Sequence, residues 1–169
     1  MIEMTVMGIA LDTRTGSPIV VLHDKDNRKA LPIWIGSAEA SAIIRKIENL
    51  VVARPMTHDL IINLIEKTGY RLDRIEINDV EKETYFANLC LVNKDGNEIE
   101  IDSRPSDAIA VAIRVDAPIF VAASVLSNGS VSTDSAKDEE ESKEFKDFIQ
   151  NVKPSDFEKL LKDFPDSDQ

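Results

Sequence analysis

The 169-residue chain is predicted to fold as α+β: a mostly antiparallel or mixed sheet of two hairpin-plus-helix units, with three core helices packed on it and a helical C-terminal tail. Three observations predict this. Short β-branched and apolar runs are separated by turn signals, and stripes of helical period follow them. A weak internal echo also lays His23-Asp24-Lys25-Asp26 on Val92-Asn93-Lys94-Asp95, each followed by a strand, a turn and an alanine-rich helix. With one insertion Glu39-Ala40 falls on Asp107-Ala108, which puts two carboxylates at similar helix starts.

Taken in order, Thr5 to Leu11, Pro18 to Leu22 and Ala30 to Ile35 read as a three-stranded meander, broken at Thr15-Gly16 and Asp24-Lys25-Asp26-Asn27. Ser37 is placed to cap a helix whose Ala40, Ile43, Ile44, Ile47 and Val51 recur at helical spacing. A second helix is predicted from about Met56 to Thr68, with Leu60, Ile61, Leu64 and Ile65 as its stripe and Gly69 as a left-handed terminator. Strands follow at Leu72 to Ile77, Thr84 to Val92 and Glu98 to Asp102, the last pair joined by the hairpin signal Asn93-Lys94-Asp95-Gly96-Asn97. Ala108 to Ile113 is apolar almost all round and predicts the most buried helix, and Pro118 to Val121 predicts a closing strand. The core domain is read as residues 1–126, an acidic linker as 127–142, and a short helical extension, broken at Pro154, as 143–169.

Composition narrows the function. The formal net charge of −11 argues against a broad electrostatic footprint for duplex nucleic acid. Residues 134–169 hold 12 acids against 6 bases, so the body is only mildly acidic and any polyanion contact must be local. No apolar run approaches the roughly 20 residues that cross a bilayer, and the N-terminus has no basic region ahead of an apolar stretch. A soluble, cytoplasmic protein without membrane contact is expected. The single cysteine, Cys90, has no internal disulfide partner and reads as a buried, inert thiol.

The chemistry-bearing feature is Arg104-Pro105-Ser106-Asp107, echoed by Arg54-Pro55-Met56-Thr57-His58-Asp59. Each places an arginine and a carboxylate at a predicted helix start, where proline has no amide to leave unpaired, Ser106 or Thr57 can cap, and exposed N–H groups favour an anion. Arg54 and Arg104, with Thr57 and Ser106, are therefore candidate phosphate ligands. Asp102 and Asp107 are candidate ligands for Mg2+ or Mn2+, which need only one or two protein carboxylates. His58, Asp59, Asp107 and Glu39 are candidates to move a proton or orient water. The structural counterpart is an ion-pair network, in which a duplicated core crosses Arg54 with Asp107 and Arg104 with Asp59. Zinc-site, P-loop, Rossmann and Gly-x-Ser-x-Gly patterns are absent from the sequence. Trp34 can stack a base, but core is the favoured reading, and its flanking isoleucines leave open which of them faces inward.

Leu31-Pro32-Ile33-Trp34-Ile35-Gly36 with Glu39-Ala40, Arg54-Pro55-Met56-Thr57-His58-Asp59-Leu60, and Asp102-Ser103-Arg104-Pro105-Ser106-Asp107-Ala108-Ile109-Ala110 together resemble the bifunctional nuclease family. The resemblance spans about residues 1–126 and joins several motifs in order. It implies an α+β domain, often a homodimer, with DNase and RNase activities ascribed to some members, so nucleic acid is the partner it implies. A separate C-terminal extension is common in the family. The leading expectation is a metal-assisted nuclease. Its rival is a non-catalytic binding or regulatory module whose Arg-Pro turns are structural ion pairs and whose tail engages a protein partner.

Overall fold

The computed structural model describes residues 1–132. The first meander runs through β1 (Ile2–Leu11), β2 (Pro18–Asp24) and β3 (Lys29–Trp34), paired antiparallel. It leads into helices α1 (Ser37–Ile47) and α2 (Thr57–Lys67). A second meander, β4 (Tyr70–Glu81), β5 (Thr84–Asn93) and β6 (Glu98–Ser103), leads into α3 (Pro105–Arg114). The chain closes with β7 (Ile119–Val121), α4 (Ala123–Gly129) and β8 (Val131–Ser132).

The eight strands form one mixed sheet in the order β6-β5-β4-β7-β1-β2-β3-β8. The predicted closing strand is thus central: β7 wedges between the two meanders, antiparallel to β1 and parallel to β4. β1 and β4 consequently run in opposite senses on either side of it, so the two hairpin-plus-helix units are related as two halves turned about the sheet's middle. Pro118 lies just ahead of β7, where its carbonyl accepts the Ile75 N–H and no donor is lost.

Alternation explains the core. Val20 and Leu22 of β2, Leu31 and Ile33 of β3, Ile75 and Ile77 of β4, and Leu89 and Leu91 of β5 all enter one buried cluster with Ile43, Ile44, Ile109 and Val125 of the helices. Each fully buried side chain of this kind contributes about 1.5–3 kcal/mol over leaving it in water. As predicted, α3 is the most buried helix, with Ala108 to Ala112 all out of solvent.

Several boundaries differ from the expectation. Gly36, rather than Ser37, is the cap residue of α1, and Ser37 is its first helical residue. Half of the α2 stripe faces outward: Ile65 is buried and Ile61 partly so, while Leu60 and Leu64 are exposed, because only the His58, Ile61 and Ile65 side meets β4 and α3. β4 runs past the expected Ile77 to Glu81 and meets β5, which starts at Thr84 as expected, through a two-residue turn at Lys82 and Glu83, both at positive φ, as a mirror-image hairpin turn requires. The expected boundary at residue 126 falls inside α4, and residues 131–132 add β8 to the sheet edge. The rest of the expected linker and the C-terminal helices lie outside the described residues. Among those residues no helix is long and apolar enough to cross a membrane.

Candidate functional site

Three helix starts carry the same device. The third helical residue is Glu39 in α1, Asp59 in α2 and Asp107 in α3. A carboxylate there meets unpaired N–H groups and the positive end of the helix dipole. Asp59 shows the capping role directly, its Oδ2 accepting the Met56 N–H at 2.9 Å. Glu39 folds back over Gly36 so closely that a methyl group at residue 36 would collide with Oε2, which is why glycine suits this turn.

Two of the three acids share one arginine. Arg104 donates from Nε to Asp107 Oδ2 and from Nη2 to Glu39 Oε1, each at 2.7 Å. Asp107 Oδ1 lies 2.9 Å from His58 Nε2, so one carboxylate joins the cation to the imidazole across 49 residues of sequence. Burial opposes ionisation of Asp107, but the hydrogen bonds from Arg104 and His58 outweigh it and hold its carboxyl below the ordinary range. Asp107 and then Glu39 push the Arg104 guanidinium further up, so it stays cationic throughout. An ionised carboxylate only accepts, so Nε2 of His58 carries the hydrogen and Nδ1 holds the lone pair of the neutral ring.

Access differs sharply within the cluster. The Arg104 side chain is 66% exposed, whereas the His58 residue is only 6% exposed. Arg104 spends Nε and one Nη2 hydrogen on the two acids and keeps its remaining N–H donors for solvent or an incoming oxyanion.

The other predicted residues fall elsewhere. Asp59 does not meet Arg104; its Oδ1 accepts from Arg114 Nε at 3.0 Å. Arg54 is exposed ahead of α2, with no ion-pair partner among the described residues, so the crossed pairing of Arg54 with Asp107 and Arg104 with Asp59 is not what forms. Thr57 and Ser106 are the first and second helical residues rather than caps, and Ser106 is buried, its hydroxyl turned from solvent. Asp102 pairs across the strand with Asn88, next to Ile101, which pairs with buried Leu89. Alternation therefore aims Asp102 from the sheet face opposite the helices, away from Asp107. Among the described residues no three His, Cys, Asp or Glu side chains gather as a metal site. Asp107 has both oxygens engaged and Glu39 only its Oε1, so each keeps lone pairs that suit a contact to a water-rich Mg2+ or Mn2+.

Arg114 is the residue that sequence reading missed. Besides Asp59 it donates to the Ala110 carbonyl at 2.8 Å and the Ala42 carbonyl at 3.0 Å, tying α1, α2 and α3 together. Its signal was a lone cation ending an otherwise apolar helix, a position that also suits the helix dipole.

Comparison with known proteins bears on the same residues. A family model described as the bifunctional nuclease domain matches residues 20–134, which take in most of β2, all of β3 through β8 and every residue of the His58 cluster. An uncharacterized protein of Mycobacterium tuberculosis (strain ATCC 25618 / H37Rv) is 36% identical over 163 residues, covering 92% of this chain and 97% of the relative. The Bifunctional nuclease 2 of Oryza sativa subsp. japonica is 35% identical over 107 residues, which are 62% of this chain and 33% of the plant protein. The Bifunctional nuclease 1 of Arabidopsis thaliana is 33% identical over 108 residues, with the same two shares. The similarity thus spans about a third of the length of these plant relatives.

Proposed function

The chain belongs to the bifunctional nuclease domain family, and from that membership and the Arg104 cluster we propose that it hydrolyses phosphodiester bonds of DNA or RNA with divalent-metal assistance. The observation that carries the reading is an arginine held by two acids yet two-thirds exposed, standing beside a histidine–aspartate pair. Arg104 binds the phosphate and stabilises the charge that develops on it, the largest contribution such a site makes. Arg54, free and exposed ahead of α2, adds a second cation on the same helix-start side as His58. His58 takes a proton from the attacking water at Nδ1 while Asp107 holds the ring from Nε2.

Charge explains why a cation belongs to the proposal. Glu39 and Asp107 against Arg104 leave the cluster with one excess negative charge when His58 is neutral, which disfavours a phosphate. Mg2+ or Mn2+, when bound, would neutralise phosphate charge and lower the pKa of water, with Asp107 and Glu39 the acids placed to hold it. The test is cleavage of single- and double-stranded DNA and RNA by purified protein in Mg2+, in Mn2+ and in EDTA, beside an Arg104→Ala, Asp107→Ala double variant. Loss of cleavage in the variant supports the proposal; equal cleavage by both proteins rejects it.

The burial of His58 favours a second reading, a non-catalytic nucleic-acid or protein-binding module in which the same network only joins α2 to α3. In that case the double variant loses stability and the wild type cleaves nothing under any cation. A homodimer is part of the proposal in either form, since Val51, Leu60 and Leu64 expose apolar surface on the α1–α2 loop and the outer side of α2. Light scattering of the full chain reads this directly, and a monomer at all concentrations refutes it.

A further inference from the structure

Trp34 is the only tryptophan of the chain, and it is 53% exposed. Ile33 enters the core, so alternation turns Trp34 to the other face of β3. Its indole Nε1 donates to Asp12 Oδ2 at 3.2 Å. Asp12 is itself nearly buried, and its second oxygen accepts the Arg14 N–H at 3.0 Å. The polar edge of the ring is thereby tied down inside the protein while a broad apolar surface stays in water. Tryptophan is ordinarily well buried, so a pinned, half-bare indole calls for a flat ligand.

The surroundings supply the rest of a site. Asp12 and Trp34 open on a cleft of about 770 Å3 that is also lined by Arg14, Lys82, Tyr85 and Asn128. That volume is within the range of small-ligand sites, roughly 300–1,000 Å3. Arg14 and Lys82 are exposed cations beside the ring, and the exposed Asn128 amide offers both a donor and an acceptor for a base edge. The β4–β5 turn that carries Lys82 and Glu83 is a tight two-residue hairpin turn at the rim of the cleft. Glu83 and Asp12 balance the two cations, so the cleft suits a neutral ring with one attached phosphate better than a bare polyanion.

We propose that this cleft is a stacking subsite for one unpaired base of a single-stranded nucleic acid, its neighbouring phosphate meeting Arg14 or Lys82. The inference rests on the nuclease reading and names its substrate class. Trp34 and Glu39 are five residues apart, so their Cα atoms lie within roughly 18 Å of each other. Trp34 faces away from the helix layer, so a strand stacked on it reaches Arg104 by passing round the C-terminal end of β3, where Gly36 leads into α1. Duplex bases are already stacked on each other and cannot enter without being unpaired.

Because Trp34 is the sole indole, its fluorescence reports the subsite alone. The full chain is titrated in EDTA with octathymidylate, with a duplex of equal length and with thymidine monophosphate. Saturable quenching by the single strand, weaker with the duplex, is expected. In parallel, anisotropy of a labelled octathymidylate should show binding weakened roughly 5- to 150-fold by Trp34→Ala, the contribution of one stacked base. Trp34→Phe, which keeps a stacking ring, should recover most of it. Unchanged affinity in Trp34→Ala, or no quenching by a strand that binds or is cleaved, overturns the subsite. Quenching without cleavage in Mg2+ or Mn2+ upholds the subsite and rejects the nuclease; cleavage without quenching does the reverse.

Discussion

Replacing Arg114 by methionine tests whether one buried guanidinium holds α1, α2 and α3, the helices that carry the candidate site, together. The guanidinium is 8% exposed and makes three contacts, to Asp59 at 3.0 Å, the Ala110 carbonyl at 2.8 Å and the Ala42 carbonyl at 3.0 Å. Removing one partner of a buried charge pair costs about 3–5 kcal/mol, chiefly because the other charge is left without compensation. Here the cost is smaller. Asp59 is 34% exposed, so water takes up part of its freed charge, and the two carbonyls belong to helices that already satisfy them. Methionine also fills most of the vacated volume. The expected loss is about 2–3 kcal/mol, which lowers Tm by roughly 4–12 °C in a chain of this size. Arg114→Lys should recover only part, because one ammonium cannot span three acceptors fixed on different helices. Urea denaturation at matched m-value is the assay. A loss under about 1 kcal/mol with unchanged m would show that Arg114 does not hold α2 against α1 and α3.

Asp107 titrates below the ordinary carboxyl range when folded, so its contribution is complete above about pH 4 and is lost as pH falls through the lowered folded value. Asp107→Asn should therefore destabilise the protein at pH 7 and flatten the acid limb of stability against pH; identical limbs count against the His58–Asp107–Arg104 linkage. Gly36→Ala forces Glu39 off its place over the turn while leaving the core untouched. Stability should change by less than about 1 kcal/mol, as for other exposed pairs, whereas KM for an oligonucleotide should rise severalfold; an unchanged KM would separate Glu39 from the site. Burial, with Glu76 adding to it, pushes the Cys90 thiol up to about 11. Cys90 should accordingly resist alkylation at pH 8 until the protein is unfolded, and rapid labelling of the native chain would show the strand pairing over it to be open.

Much of the fold was legible because local chemistry and tertiary structure agree in it. The clean alternation of Glu98 to Asp102, the glycine after α2 at φ 83° and the unbroken apolar run in α3 each point to the element that forms. Position within the sheet was less legible. Pro118 marks an edge in isolation, yet β7 is only three residues long and its central place depends on two meanders that no local signal orients. The Lys82-Glu83 turn lacks the asparagine or glycine that advertises positive φ, so the far end of β4, beyond Ile77, went unseen. At the site, Glu39, His58, Arg104 and Asp107 were all named from the sequence, since helix starts announce themselves. Which acid pairs with which arginine was not, because Arg114 carries no motif and its three acceptors lie 4, 55 and 72 residues away.

The duplicated architecture sharpens why Arg104 matters. The two units place an acid at the same helical position, Glu39 in α1 and Asp107 in α3, but their cap residues differ: glycine at 36, arginine at 104. Had both caps been arginine, each acid would be matched on its own helix and the two starts would be electrically closed. With Gly36 in place of a cation, Glu39 folds back and reaches across to the arginine of the other unit. One guanidinium then faces two carboxylates, and the surplus negative charge sits beside the only histidine in the helix layer. The asymmetry between the halves, rather than either half alone, places that surplus charge at this end of the sheet.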